Sequence, residues 1–405
     1  MKQPTASKPL LHLPALVVWC LLMLLMHVSL AGGRVAVMLG ALSLGVSSAG
    51  VGMLIAAFAF LPMFLAVFTG RRMDKTGSYR LMWLAALGCA LGAFMPWVWL
   101  HPATLAVAAV AIGLGHMAFQ IAIQGLLGDG DAAKRLRNYS WLAMAMAVSG
   151  FSGPLIAGLS IDYLGHRWAF FMLALGPAFA FWAVCKLRAT IVGLHVPSER
   201  PNTASRMMDL FRVRPLRYAL LANLLLSSAW DTHSFLVPLY GAQQGFSATT
   251  IGAILAAFAA ATFVVRMLLP FIQKWIKPWP MIHFAMISAA GYFMLYPWIE
   301  NQWLLMGLSF LLGFSLGSTQ PSILSLLQQH APPGRKVEAF GMRTALVNGS
   351  QVSLPLGFGA LGTVIGILPL FAVSSFALAL GAWLTRRGGH DTASAPTDRE
   401  VMPPK

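Results

Sequence analysis

Residues 45–60 read GVSSAGVGMLIAAFAF, and residues 245–260 read GFSATTIGAILAAFAA. At an offset of 200, Gly45, Ser47, Gly52, Ala56, Ala57, Phe58 and Ala59 recur as Gly245, Ser247, Gly252, Ala256, Ala257, Phe258 and Ala259. The same offset pairs Gly113 with Gly313 and Gln120 with Gln320. One residue more pairs Pro154 with Pro355, Gly158 with Gly359, Gly165 with Gly366 and Phe170 with Phe371. Three separate stretches in nearly one register make the 405-residue chain one unit written twice in the same direction.

Apolar residues make up 58% of the chain and charged residues 10%, against roughly 25% charged in soluble domains. A water-soluble fold of this size is excluded, and the composition calls for apolar runs of ~17–25 residues. Such runs fall at 12–32, 46–69, 81–100, 103–126, 140–162, 168–187, 217–240, 249–272, 280–298, 303–326, 342–364 and 367–385. Twelve spans in two sets of six agree with the repeat. An even number per unit relates the two units by an axis along the membrane normal. The expected fold is an all-α integral membrane protein with twelve transmembrane helices in two pseudo-symmetric six-helix bundles. Its expected parts are an N-terminal bundle over 1–187, a cytoplasmic linker over 188–216, a C-terminal bundle over 217–385 and a disordered cytoplasmic tail over 386–405.

The formal charge of +16 is not spread as a nucleic-acid surface would be. Lys and Arg occupy alternate connections: Arg71, Arg72, Lys75 and Arg80, then Lys134, Arg135 and Arg137, then Lys274 and Lys277, then Arg335 and Lys336. More lie in the middle connection and both tails, and among the intervening connections Arg167 is the clear exception. This positive-inside pattern places both termini and the middle loop in the cytoplasm. The basic residues meet anionic lipid rather than nucleic acid. Lys2 and Lys8 precede an apolar run ending at Ser29-Leu30-Ala31, which has the look of a signal peptide. The run is needed to complete the first set of six and is read as a retained span. Cys20, Cys89 and Cys185 fall in three different spans without metal-ligand spacing, so neither a disulfide framework nor a metal is expected.

After the second span the chain reads Gly70-Arg71-Arg72-Met73-Asp74-Lys75-Thr76-Gly77-Ser78-Tyr79-Arg80. This loop resembles the one between spans two and three of the major facilitator superfamily, with Gly70, Asp74, Lys75 and Gly77 in register. Ser78 and Tyr79 stand where a basic pair is usual, with Arg80 next. Glycines permit a tight turn and a carboxylate can cap a neighbouring helix N-terminus, which suits a gate. The resemblance implies that Asp74 meets the start of span eleven, near Gly341 and Met342, in the outward-facing state. The matching loop of the second half, Phe271 to Pro280, keeps Lys274 and Lys277 without the Gly and Asp positions. Ser140, Ser149, Gly153, Pro154, Ala157 and Gly158 fall on the fixed positions of the family's antiporter-type motif in span five. Small residues there allow close helix approach, and Pro154 bends the span.

Of twelve acids, Asp231 alone falls well inside a span. A carboxylate there must take up a proton, pair with a cation or face water. Its candidate partners are Arg34, Arg266 and His233. At the 200 offset Asp231 is equivalent to Ala31, one helical turn from Arg34, and the resemblance makes spans one and seven symmetry mates at a central cavity. Arg34 falls either in span one or in the loop after it. Candidates for a substrate cavity are His116 and Gln120 on span four, Gln320 on span ten, and Asn348 and Gln351 on span eleven, with Arg343 at that span's inner end. Interhelical hydrogen bonding would also account for them. The 22 Met and 13 Trp residues tilt the reading slightly towards broad substrate choice.

The resemblance covers essentially residues 12–385 and is strongest to bacterial drug:proton antiporters. It implies a monomeric secondary transporter of the bacterial inner membrane, without cofactor, whose partners are a small organic molecule, the proton and the bilayer. Proton-coupled export is the leading expectation and proton-coupled uptake of a small metabolite the alternative, since one fold runs both ways. An enzyme is not expected: there is no Gly-x-Ser-x-Gly, no His-x4-Asp and no phosphate-binding Gly-Lys-Ser/Thr.

Overall fold

The computed structural model describes residues 15–127, 132–193, 211–272, 275–331 and 336–391, and among these there is no strand. The first half runs α1 Ala15–Ser43, α2 Ser48–Thr76, α3 Tyr79–Val98, α4 Pro102–Leu127, α5 Ala132–Leu164 and α6 His166–Lys186. A short α7, Arg188–Gly193, follows. The second half runs α8 Arg214–Gln243, α9 Ala248–Ile272, α10 Pro278–Leu295, α11 Gln302–Gly317, α12 Thr319–His330, α13 Lys336–Ile365 and α14 Leu368–Asp391. Counting α11 and α12 as one broken pass, the described residues make twelve.

Nine helical segments among the described residues are long and apolar enough to cross a membrane on composition alone. The helices α8 and α13, each of 30 residues, fall short because they carry Asn223, Asp231 and His233, and Arg343, Asn348 and Gln351. Low hydropathy there marks helices that face the interior and not lipid. Lipid-facing flanks instead show exposed Leu84, Leu91, Phe179, Phe284, Phe376 and Trp383.

The repeat is physical. Helix α1 packs on α5, α3 on α6 and α2 on α4, and their counterparts α8 on α13, α10 on α14 and α9 on α11 do the same. Ser47 caps α2, and its mate Ser247 accepts from Thr250 N at 3.1 Å. A Cβ on Gly113 would collide with the backbone of Phe58, and one on Gly313 with that of Phe258. Small residues thus set the same interhelical approach twice.

Boundaries differ from the sequence reading in three informative places. Helix α1 runs on to Ser43, which puts Arg34 inside the helix and settles the choice left open for it. The tenth pass breaks at Ser318, because Pro321 has no N–H to return to the Gly317 carbonyl. Helix α14 continues through Arg386 to Asp391, into the segment expected as a tail.

Candidate functional site

The helix ends that flank the Lys- and Arg-rich connections lie at one end of the bundle, the basic face, where α1 begins. In the half of the bundle nearer that face, α8, α9, α12 and α13 enclose a cavity of about 210 Å³. Among its lining residues Asp231 is the acid, and Arg266 and Arg343 are the cations. A larger groove of about 630 Å³ between α2, α3 and α4 is walled by apolar side chains such as Leu84, Val107 and Val110 and has no charged lining residue. Chemistry therefore belongs to the smaller cavity.

Each arginine is held by an amide. Arg266 Nη2 donates to Gln320 Oε1 at 2.9 Å, and Arg343 Nε donates to Asn223 Oδ1 at 2.9 Å. The break at Ser318 places Gln320 near the start of a new helix, beside Thr319, and both line the cavity. Gln351 lines it as well, whereas Asn348, half-buried one turn earlier on α13, does not.

Asp231 is 8% exposed. Its Oδ2 accepts from Ser350 Oγ on α13 at 3.0 Å. Across the boundary between the halves, the charge of Arg34 on α1 acts on the carboxylate. The Arg34 guanidinium also lies 5.9 Å from the centre of the Phe58 ring, and its Nε is buried without a hydrogen-bond partner. Asp231 thus lines a cavity of the second half while feeling a charge from the first.

The structure takes His233 elsewhere. Its ring stacks on Phe258 with centroids 4.2 Å apart, and its Nε2 bonds Ser309 Oγ at 3.1 Å. Ser309 in turn meets Tyr296 Oη at 2.7 Å, so His233 belongs to a buried network against α11. His116 instead faces His27, a residue the sequence reading passed over, with ring centroids 5.1 Å apart. His27 Nδ1 lies 2.7 Å from Ser149 Oγ of α5, and the Arg34 charge acts on both histidines. His27 and Arg34, seven residues apart on α1, present one face to this cluster. The repeat-related Gln120 stands apart from Gln320, with its Nε2 3.8 Å from Met146 Sδ.

The span-five residues divide their work. Gly153 faces α1 within its own half, where an added Cβ would lie 2.9 Å from Val28 O. Pro154 and Gly158 instead face α9 of the other half. A Cβ on Gly252 would sit 2.5 Å from Pro154 O, and one on Gly359 2.7 Å from Ser48 O. Gly158 is equally tight against Ala248, and Gly52 against Pro355. Asp162 completes this seam, its two carboxylate oxygens accepting from Ala248 N at 3.0 Å and Thr249 N at 2.7 Å. These contacts lie at the end of the bundle away from the basic face, so the halves are sealed to each other there.

The turn after α2 is described in part. Gly77 has φ +82 and its N–H bonds Met73 O at 2.9 Å, a conformation that favours glycine. Gly70 lies within α2, and Arg80 is exposed on α3. Asp74 and Lys75 are in the last turns of α2, but their side chains fall outside the described residues; Gly341 lies in the second turn of α13. Met342 is buried.

No group of three or more metal-ligating side chains occurs among the described residues. The chain is 22% identical over 351 residues to the quinolone resistance protein NorA of Staphylococcus aureus (strain COL), covering 83% of this chain and 87% of that one. It is 21% identical over 319 residues to the class H tetracycline resistance protein of Pasteurella multocida, covering 76% and 78%. The solved structure of the peptide transporter POT in complex with sulfate superposes with a TM-score of 0.78 at 13% identity, over 93% of this chain and 94% of that one. A point mutant of the nucleoside transporter NupG gives 0.72 at 12% identity, over 92% and 99%. The family model of the Major Facilitator Superfamily matches residues 15–355, so this chain belongs to that superfamily and is a multi-pass membrane transporter, not an enzyme.

Proposed function

We propose that the protein exports a small organic molecule by alternating access, with a proton entering at Asp231 as the substrate leaves. The observation that carries the reading is the placement of Asp231. A buried carboxylate lines the cavity, takes a hydrogen bond from Ser350 and feels the charge of Arg34 of the other half. An acid in that position changes the forces between the halves whenever it gains or loses a proton. Rocking of one bundle against the other about a central site is the motion this family fold permits. The seal from Asp162 to Pro154 then closes one face while the cavity serves the other. With both termini and the 188–216 linker in the cytoplasm, the cavity faces inward. Kinship with two drug-resistance proteins supports export. The protein works as a monomer, with the cavity lined by helices of the second half.

Uptake together with a proton is the second reading, and one observation favours it. Arg34, Arg266 and Arg343 outnumber Asp231, so a proton on Asp231 increases the positive excess and strengthens binding of a negatively charged molecule. Proteoliposomes under an imposed pH gradient separate the two. Export by exchange accumulates substrate in the acidic compartment, whereas co-transport accumulates it in the alkaline one. Accumulation unaffected by the gradient would refute both.

A further inference from the structure

The hydrogen-bonding inventory of the cavity narrows the substrate. Asn223 Oδ1 accepts from Arg343, so the amide must turn its Nδ2 the other way; that Nδ2 is buried without a partner. Gln320 Oε1 accepts from Arg266, which leaves its NH2 group as the free end. The Arg266–Gln320 pair therefore presents donors only, and on the other side the Arg343 guanidinium is the donor, Asn223 Nδ2 being closed off. A guanidinium carries five N–H donors and no acceptor, and the single bond each makes to its amide leaves most of them unused. On the acceptor side stand Asp231, with Oδ2 already taken by Ser350 and the charge opposed by Arg34, and the neutral Gln351 and Ser227, which can donate as well as accept. The broken pass adds to the imbalance. Helix α12 opens at Thr319 with no side-chain cap, and its first residues line the cavity. A half-helix N-terminus carries partial positive charge.

Unmatched donors and cations in a membrane interior are costly, and the ligand that satisfies them carries acceptors and negative charge. We propose that the cavity binds a small organic anion, its carboxylate, sulfonate or phosphate oxygens held by Arg266 and Arg343 and its apolar body resting on Trp230, Leu226 and Ile323. The volume of about 210 Å³ lies below the ~300–1,000 Å³ of drug-sized pockets, which suits a compact head group. A permanently charged ammonium would instead meet two guanidiniums at close range. The proposal rests on this cavity being the substrate site, and it favours the uptake reading, in which a proton on Asp231 strengthens binding of the anion.

The test uses the purified full-length protein in lipid nanodiscs and three probes of similar size: benzoate, benzamide and benzylammonium. Binding is read by calorimetry on the unaltered protein and on Asn223→Asp and Gln320→Glu. These near-isosteric changes keep each arginine's hydrogen bond, and so the fold, while cancelling its charge. Benzoate should bind and the ammonium should not. Each variant should weaken benzoate by about tenfold to a hundredfold, the worth of a charge-assisted hydrogen bond. Ammonium binding in preference to benzoate, still sensitive to these variants, would overturn the anion assignment and leave the cavity as the site. Benzoate binding indifferent to both variants, or no binding of any probe, would overturn the assignment and the cavity reading together.

Discussion

Asp162 offers the sharpest handle on the balance between the two states. Its carboxylate belongs to the first half, and the two backbone N–H groups it accepts from, at 3.0 and 2.7 Å, open helix α9 of the second. Replacing Asp162 by Ala strands both donors in the sealed arrangement but costs nothing once the halves have parted and water reaches them. Hydrogen bonds to a charged group are worth ~1.5–3 kcal/mol each when sheltered, and loss of an N-cap side chain costs about 0.5–2 kcal/mol. Asp162 is exposed, so solvent reduces the figure and about 1–2 kcal/mol for the pair is reasonable. That is a factor of roughly 5–30 in the ratio of sealed to opened molecules. Asp162→Asn keeps one acceptor and should give a smaller shift in the same direction. Spin labels at the exposed Trp99 and Trp298 positions, which lie at the sealed end of the two bundles, report the separation by pulsed dipolar spectroscopy. The exposed Cys185 is replaced beforehand. Ser47→Ala is the control, because Ser47 caps α2 within its own half. An unchanged distance distribution in Asp162→Ala, or an equal shift in Ser47→Ala, would refute the latch.

Other substitutions probe the same seam and site. Gly252→Leu should abolish transport with a folded protein, since its Cβ would already sit 2.5 Å from Pro154 O; Gly291→Ala, with open space around it, should be silent in the same uptake assay. Gly77→Leu forces a side chain onto φ +82 at about 1–3 kcal/mol and should impair transport at least as much as Asp74→Asn; full activity in both would reduce the turn to a topological role. Asp231→Asn removes the negative charge that acts on the buried Arg34, and loss of a compensating charge in the membrane interior is destabilising. Thermal unfolding should therefore show a loss that Asp231→Asn with Arg34→Gln restores, and no recovery in the double variant would dissolve the pair.

Much of the fold was legible because the bilayer imposes span length and the repeat imposes symmetry. The repeat also misdirects in one respect. In the sealed seam each residue meets the mate of its mate's partner: Gly52 meets Pro355, the mate of Pro154, and Gly252 meets Pro154 itself. Pairing the halves requires the axis, which no offset displays. Helical periodicity alone argues against His233 as a partner of Asp231, since residues two apart on a helix face different ways, and the structure has it stacked on Phe258. His27, Ser350 and Asp162 carried no local signal. Each acquires meaning from a partner 86 to 122 positions away in the chain. The pairing of Arg343 with Asn223 spans 120 positions and was hidden for the same reason.

Whether Asp231 carries the proton that drives transport is measured most directly by substrate-evoked proton flux. Proteoliposomes enclosing a pH-sensitive dye are challenged with a transported compound, using the unaltered protein and Asp231→Asn beside Arg34→Gln to guard the fold. The unaltered protein should move protons in step with substrate. The Asp231 variant should lose the proton signal and accumulation against a gradient while retaining downhill exchange, because the amide still hydrogen-bonds Ser350. Proton flux of undiminished size through a folded Asp231→Asn protein would contradict the account.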